Sequence, residues 1–461
     1  MNPKKPRSPT SPRKDDNLRF RRFLRIPRFL FKWFKKIHSA KVYSMSYVKD
    51  PSLAGQGKLN LEIAERHMGA LLNVREHFKK TRPFSGLTIG MALHVTKETG
   101  VLVRTFVAGG AKVAITGCNP LSTQDDVAAA LAKEKDIKVW AYKGESNEDY
   151  YKFLTAVIGE EPDITIDDGC DLVTLVHTRH PHLLKKMLGG CEETTTGIIR
   201  LKAMEKEGVL KTPMIAVNDN LTKHLMDNYY GTGQSTFDGI LRSTNMLIAG
   251  STVVVLGYGS CGKGVALRAK GLGANVIVTE VAAFPALQAA MDGFRVLPIA
   301  EAAPLGDLFI TVTGNLRVIR MEHIEKMKDG AILANSGHFN HEIDIDTIEK
   351  QAKRKRRVRH YLDEYLLKSG KAIFIAGEGR LVNLASAEGH PSEVMSLSFC
   401  GQAFACEYLV KHKGKLKNEV ITLPDEIDDR IAKMQLEAMK LNIDVLTPEQ
   451  RKYLASWREG T

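Results

Sequence analysis

What this chain lacks narrows the choices first. No apolar run in its 461 residues approaches the roughly 20 needed to cross a bilayer. Its six cysteines (Cys118, Cys170, Cys191, Cys261, Cys400 and Cys406) contain no Cys-x-x-Cys pair, which excludes a zinc ribbon or a dithiol redox motif. They are read as reduced thiols, small and buried, in a cytoplasmic protein. No internal repeat of solenoid period occurs. Net charge is also missing from most of the chain. The formal +13 is concentrated in residues 1–44, where 14 Lys and Arg face only Asp15 and Asp16. The remainder is nearly neutral, which argues against a nucleic-acid surface on the folded part.

The basic extension divides in two. Its first half, rich in Pro, Ser and Lys, has the composition of a disordered segment. In the second half Phe20, Phe23, Leu24, Leu30, Phe31 and Phe34 recur among Arg and Lys, interrupted by Pro27. That pattern fits a membrane-surface or organelle-targeting segment. It also fits a dispensable tail, or a start placed upstream of a true beginning at Met45, and this plainer reading is preferred.

From residue 58 the pattern changes. "LEIAERHMGALLNVREHF" reads as one helix. Apolar strands then alternate with helical stretches: "LTIGMAL", "AKVAITG", "IKVWAY", "DITIDD" and "PMIAVND", then "TVVVLG", "NVIVTE", "DLFITVTG", "AILANSG" and "AIFIAGEG". Such alternation predicts an α/β protein with two doubly wound parallel sheets. The boundaries expected are a substrate domain over 45–220 completed by 392–422, a Rossmann domain over 235–388, and a helical segment over 423–461 with an N-cap at Thr447. Hinges fall near 220–235 and 384–391.

"VVVLGYGSCGKGVAL" carries the clearest chemistry. Gly257, Gly259 and Gly262 fit G-x-G-x-x-G between a strand and a helix. The first permits the turn, the second admits a pyrophosphate to the backbone, and the third lets helix and strand approach. The anion then rests on the positive end of the helix. Glu280, 18 residues past Gly262 at the end of the next strand, is placed to accept from both ribose hydroxyls and to repel a 2′-phosphate. The cofactor expected is NAD. Elsewhere polar residues gather at the carboxyl ends of strands: Asp167, Asp168 and Asp171, then two acids and three threonines, then Lys223 and Asp227 four apart, then His338, Asn383 and His390. Each alone has a structural explanation as a cap, a solvated pair or a loop histidine. Together they mark the edge where α/β sheets bind ligands.

The motifs "STQDD", "DDGCDL", "EETTTG", "AVNDNLTK", "YGTGQS", "GYGSCGKG", "HFNHEID" and "EGRLVNLASAEGHP" give residues 58–459 a resemblance to S-adenosyl-L-homocysteine hydrolases. The resemblance implies reversible hydrolysis of S-adenosyl-L-homocysteine to adenosine and L-homocysteine on tightly bound NAD. The steps are oxidation at ribose C3′, elimination of homocysteine, water addition and re-reduction. It implies catalytic roles for His94, Asp168, Lys223, Asp227, Asn228 and His338. Lys223 would assist removal of the 3′-hydroxyl proton with a lowered pKa, and Asp168 and His94 would share proton transfer at C4′ and the 5′ leaving group. Thr96 and Glu98 would meet the base, Glu193 with Lys223, Asp227 and Asp168 the rest of the substrate, and His390 the gate. Thr194, Thr195, Thr196, Asn228, Asn315, His338 and Asn383 would join the glycines and Glu280 around NAD, with no metal.

Glu98, as an acceptor, favours adenine over hypoxanthine. The alternatives are an S-inosyl-L-homocysteine hydrolase and a catalytically silent NAD-binding regulator. The chain departs from the family's usual pattern at Thr232, often cysteine, and at Ala282, usually aspartate. It also lacks a Lys/Tyr tail, as do short-tailed bacterial and archaeal relatives. A homo-oligomer, a tetramer, is the family expectation, with no nucleic-acid partner.

Overall fold

The computed structural model describes residues 45–458, and the expectations for the basic extension lie outside them. Two eight-stranded sheets carry the chain. In sequence the strands are β1 (Tyr47–Val48), β2 (Thr88–Ala92), β3 (Lys112–Thr116), β4 (Ile137–Ala141), β5 (Ile164–Asp167), β6 (Gly189–Glu192), β7 (Met214–Ala216), β8 (Thr252–Leu256), β9 (Asn275–Thr279), β10 (Arg295–Val296), β11 (Leu308–Thr311), β12 (Ala331–Asn335), β13 (Ala352–Arg359), β14 (Leu362–Leu367), β15 (Ala372–Ala376) and β16 (Val420–Ile421). The first sheet runs β1-β4-β3-β2-β5-β6-β7-β16, and its recorded pairings are parallel. The second runs β10-β9-β8-β11-β12-β15-β14-β13. It is parallel from β10 to β15 and ends in the antiparallel strands β14 and β13.

The central strands are apolar runs buried on both faces, as parallel strands flanked by helices must be. Strand β13 is different. Lys353, Arg354, Lys355, Arg356 and Arg357 leave it charged and exposed at a sheet edge, where such residues discourage pairing with another chain. The helix Ser392–Lys411 returns to the first sheet. Its buried Phe399, Cys400, Ala403, Phe404 and Leu409 join the core formed by β2, β3 and β5.

Three local expectations change. The stretch over 54–81 is two helices, Ala54–His67 and Gly69–Thr81, because Met68 leaves helical geometry at φ −112°, ψ 46° and buries its side chain. The "GGCE" stretch, absent from the strands expected above, is a buried strand, β6. Two glycines gave it no strand signal; pairing between β5 and β7 makes it one. The segment Thr222–Gly231, which carries the Lys223–Asp227 pair, winds as a π-helix. Thr447 does cap the helix Pro448–Leu454, in a reciprocal box with Gln450. Helix Asp425–Ala438 precedes it. Among the described residues no helix is long and apolar enough to cross a membrane.

Candidate active site

The carboxyl ends of both sheets face a cavity of about 780 Å³. Of the residues singled out in the sequence, His94, Thr96, Glu98, Asp168, Glu193, Thr194, Thr195, Thr196, Lys223, Asp227, Asn228, Gly257, Gly259, Glu280, Asn315, His338, Asn383 and His390 all line it. Gly262 does not.

At one end the lining is largely backbone. Gly257 sits at φ +107°, a conformation that favours glycine. A Cβ on Gly262 would stand 2.0 Å from the Gly257 carbonyl oxygen, so its role is close packing of helix on strand. A Cβ on Gly259 would meet nothing within 4 Å, so the backbone there is open to a ligand. Glu280 Oε2 accepts from the Tyr258 N–H at 2.8 Å, and Oε1 accepts from those of Val281 and Ala282. The carboxylate is thereby held at the cavity wall with lone-pair capacity to spare. Asn383 donates to Ser235 Oγ at 3.2 Å, while its Oδ1 is buried without a partner. An open glycine turn, a fixed acid and an orphaned amide oxygen suit a dinucleotide with a hydrogen-bonding ring.

At the other end the lining is charged side chains. In a π-helix residues four and five apart share a face, and such geometry recurs at functional sites. Lys223 Nζ lies 2.9 Å from Asp227 Oδ2 and 2.7 Å from Asn228 Oδ1, its partners four and five residues on. Glu193 Oε1 is 3.7 Å away. His390 binds the other oxygen of Asp227 through Nδ1. Ser398 and Gln402, one turn apart on the returning helix, donate to the two oxygens of Glu193.

Burial acts on each of these groups, and neighbours decide the result. Burial would pull Lys223 down, but Asp227 and Glu193 outweigh it, so its pKa is raised. The lysine is thus not lowered as burial alone would make it, because two carboxylates share its pocket. Burial would raise Asp227, but Lys223 and His390 hold it well below the carboxylate range. Burial pushes Glu193 up to about 7 against the pull of Lys223.

A second cluster surrounds Asp168. His94 Nε2 is 3.2 Å from Oδ2, and His338 Nδ1 is 3.4 Å from Oδ1. Gly169, at φ +104°, leaves room for His338, whose Nε2 would lie 2.4 Å from any Cβ there. Burial lowers His94 to about 4, outweighing Asp168, so this ring is neutral near pH 7. His94, Asp168 and His338 offer three donor atoms within 4.8 Å of one another, a grouping of the kind that holds cations, but His94 Nε2 and His338 Nδ1 each engage an Asp168 oxygen.

Several partners escaped the sequence reading. Cys118 Sγ lies 3.2 Å from His94 Nδ1 and 3.5 Å from Asp168 Oδ2, and Ser122 Oγ lies 2.7 Å from the same ring nitrogen. Asn218 Oδ1 accepts from Asn228 at 3.0 Å. Arg200 donates to the Gly169 carbonyl and pairs with Asp171 at 2.7 Å, bracing the Asp168 loop. Thr232 Oγ1 lies 3.6 Å from Cys261 Sγ of the glycine loop and 3.3 Å from His390 Nε2. The available signal was position: Ser398 and Gln402 are polar residues four apart among Phe399, Cys400, Ala403 and Phe404, and Cys118 follows a strand end.

Known proteins are similar to this chain in sequence. The family model described as "S-adenosyl-L-homocysteine hydrolase" matches residues 45–180, and "S-adenosyl-L-homocysteine hydrolase, NAD binding domain" matches 228–389. The chain is 59% identical over 414 residues to the adenosylhomocysteinase of Aquifex aeolicus, covering 90% of this chain and 99% of that one. It is 58% identical over 417 residues to the S-inosyl-L-homocysteine hydrolase of Methanocaldococcus jannaschii, covering 90% and 100%. The adenosylhomocysteinase of Sulfurisphaera tokodaii is 57% identical over 414 residues, covering 90% and 99%. With the NAD-binding unit, the cavity and these matches in agreement, the chain belongs to the S-adenosyl-L-homocysteine hydrolase family.

Proposed function

We propose that this protein hydrolyses S-adenosyl-L-homocysteine to adenosine and L-homocysteine, reversibly, with NAD retained through turnover. The observation that carries the reading is that the Lys223–Asp227–Glu193 cluster, the Asp168 cluster and the glycine loop open onto one cavity. Bound NAD supplies reversible hydride exchange at ribose C3′, which makes the C4′ proton acidic enough to leave.

Glu193 and Asp227 accept from the ribose hydroxyls. Those new hydrogen bonds weaken the two carboxylates' hold on the Lys223 ammonium, which passes a proton to Glu193 and, as the neutral amine, accepts the 3′-hydroxyl proton. Asn228, bonded to Lys223, fixes the ammonium's direction. His94 and Asp168 share the proton movements at C4′ and at the departing sulfur, and the neutral state of His94 lets it accept first. His338 orients Asp168 from the cofactor side, and His390 orients Asp227. Gly257, Gly259, Gly262, Glu280, Thr194, Thr195, Thr196, Asn315 and Asn383 hold the dinucleotide.

The relatives divide between adenosyl and inosyl substrates at nearly equal identity, so overall similarity does not choose the base. Glu98 favours adenine. Its Oε2 is buried with no partner on a residue lining the cavity, an acceptor waiting for a donor such as the 6-amino group. Incubating the NAD-loaded protein with each thioether and measuring free thiol tests both statements. Thiol release without net NADH is expected, faster with the adenosyl compound. No thiol from either substrate would end the reading.

The domain limits given above, a cytoplasmic location and a homotetramer belong to the same proposal. Leu221, Leu225, Met226, Leu241 and Leu267 are exposed large apolar residues on the helices around the Lys223 segment, which supports association. Light scattering of the purified protein checks the oligomer.

A further inference from the structure

Glu98 is the first acid of the helix Lys97–Ala108, and its neighbour in sequence is also its neighbour in charge. Lys97 Nζ lies 3.3 Å from Glu98 Oε1. Ser392 donates to the same oxygen at 2.7 Å. Oε1 is thus engaged twice, and Oε2 is left free. Glu98 is only 1% exposed, so water contributes little to its charge. Lys97 is anchored from the far side by Glu388 Oε2 at 2.9 Å, on the segment leading to His390. Burial would push the Lys97 ammonium down, but Glu98 and Glu388 outweigh it.

We propose that Lys97 sets the base preference by supplying the counter-charge that keeps Glu98 a pure hydrogen-bond acceptor. The proposal rests on the reading that Glu98 meets the base. An ionised carboxylate has four acceptor sites and no donor, so it matches a 6-amino group and opposes a 6-oxo oxygen. Without the ammonium, Oε1 keeps only the Ser392 donor, so Oε2 is no longer fixed as the one free acceptor facing the base, and the preference for an amino over an oxo group relaxes. Lys97 never touches the substrate in this account; it acts through Glu98 and is a positioning residue. The anchoring by Glu388 ties that setting to the segment that carries His390.

The test compares kcat/KM for the adenosyl and inosyl thioethers in the NAD-loaded protein and in Lys97→Met, Lys97→Gln, Lys97→Arg and Glu98→Gln. Lys97→Met and Lys97→Gln are expected to raise the inosyl-to-adenosyl ratio about tenfold or more, and Lys97→Arg to keep it near wild type. A ratio within about twofold of wild type in whichever neutral variant retains NAD, or an equal shift in Lys97→Arg, overturns the proposal. Glu98→Gln separates the two levels. If it abolishes the preference while the neutral Lys97 variants keep it, only the role of Lys97 falls. If Glu98→Gln leaves the preference intact, base recognition by Glu98 fails and the proposal with it.

Discussion

The two ends of the cavity are built in opposite ways. The cofactor end is made of main chain: a glycine turn, a helix N-terminus, and an acid held by the N–H groups of Tyr258, Val281 and Ala282. The reacting end is made of buried charges from distant segments: Lys223 and Asp227 on a π-helix, Glu193 after β6, Asp168 after β5, His338 after β12 and His390 near the returning helix. Main-chain donors need no counter-charge and keep their geometry through turnover. Buried side-chain charges hold one another's protonation states, so removing one changes all of them. The first end suits holding a cofactor, and the second suits moving protons.

Breaking the charged end is expected to have the largest effect. Lys223→Ala leaves Asp227 and Glu193 without their cation, and should lower turnover about 10³-fold while NAD content is retained. Steady-state rates together with the absorbance of released cofactor check this, and a normal rate would remove Lys223 from the mechanism. Next comes His94. Its folded-state pKa, about 4, lies below the ordinary 6.5, so the unfolded chain takes up the proton first. This contribution is fully present above pH 6.5 and is lost as pH falls toward 4, with a size of about 3 kcal/mol. Denaturant unfolding at pH 7.5 and 4.5 should show a larger loss in wild type than in His94→Gln.

At the main-chain end the effects should be smaller and confined to NAD. Glu280→Ala removes the acceptor that is expected to meet the ribose, and should weaken NAD about 10–100-fold with folding intact, as read by calorimetry on the apoprotein. The glycines sharpen the contrast further. Gly262→Ala forces a Cβ against the Gly257 carbonyl and should cost about 1–2 kcal/mol of stability. Gly259→Ala meets open space at φ −74°, so stability should hold within about 0.5 kcal/mol while NAD weakens. Equal melting temperatures for these two variants would contradict the packing role given to Gly262.

Much of the fold was legible because its central strands are short apolar runs bounded by turn residues, from "LTIGMAL" through "AIFIAGEG". Strand β6 was not, since "GGCE" carries no strand propensity and is a strand only by pairing with β5 and β7. The charged hairpin of β13 and β14 was not read as strands, because "KRKRRVR" has neither alternation nor an apolar face. In the site, the glycine loop and Glu280 were derivable from spacing, since strand, turn, helix and acid lie within one local unit. The Lys223–Asp227 pair was visible as a four-residue spacing, but its charge state was not. Burial alone suggested a lowered lysine, and the carboxylate of Glu193, some thirty residues earlier in the chain, helps reverse that.

The amino-acid sequence by itself determined the class of fold, the dinucleotide loop, and which residues carry charge where strands end. Those depend on local periodicity and on backbone freedom at particular glycines. Only the tertiary structure decided that Asp168 lies between two histidines, that Ser398 and Gln402 clasp Glu193, and that Lys97 faces both Glu98 and Glu388. Protonation states and hydrogen-bond partners depend on distance and burial, and in a doubly wound fold the shortest distances join residues far apart along the chain.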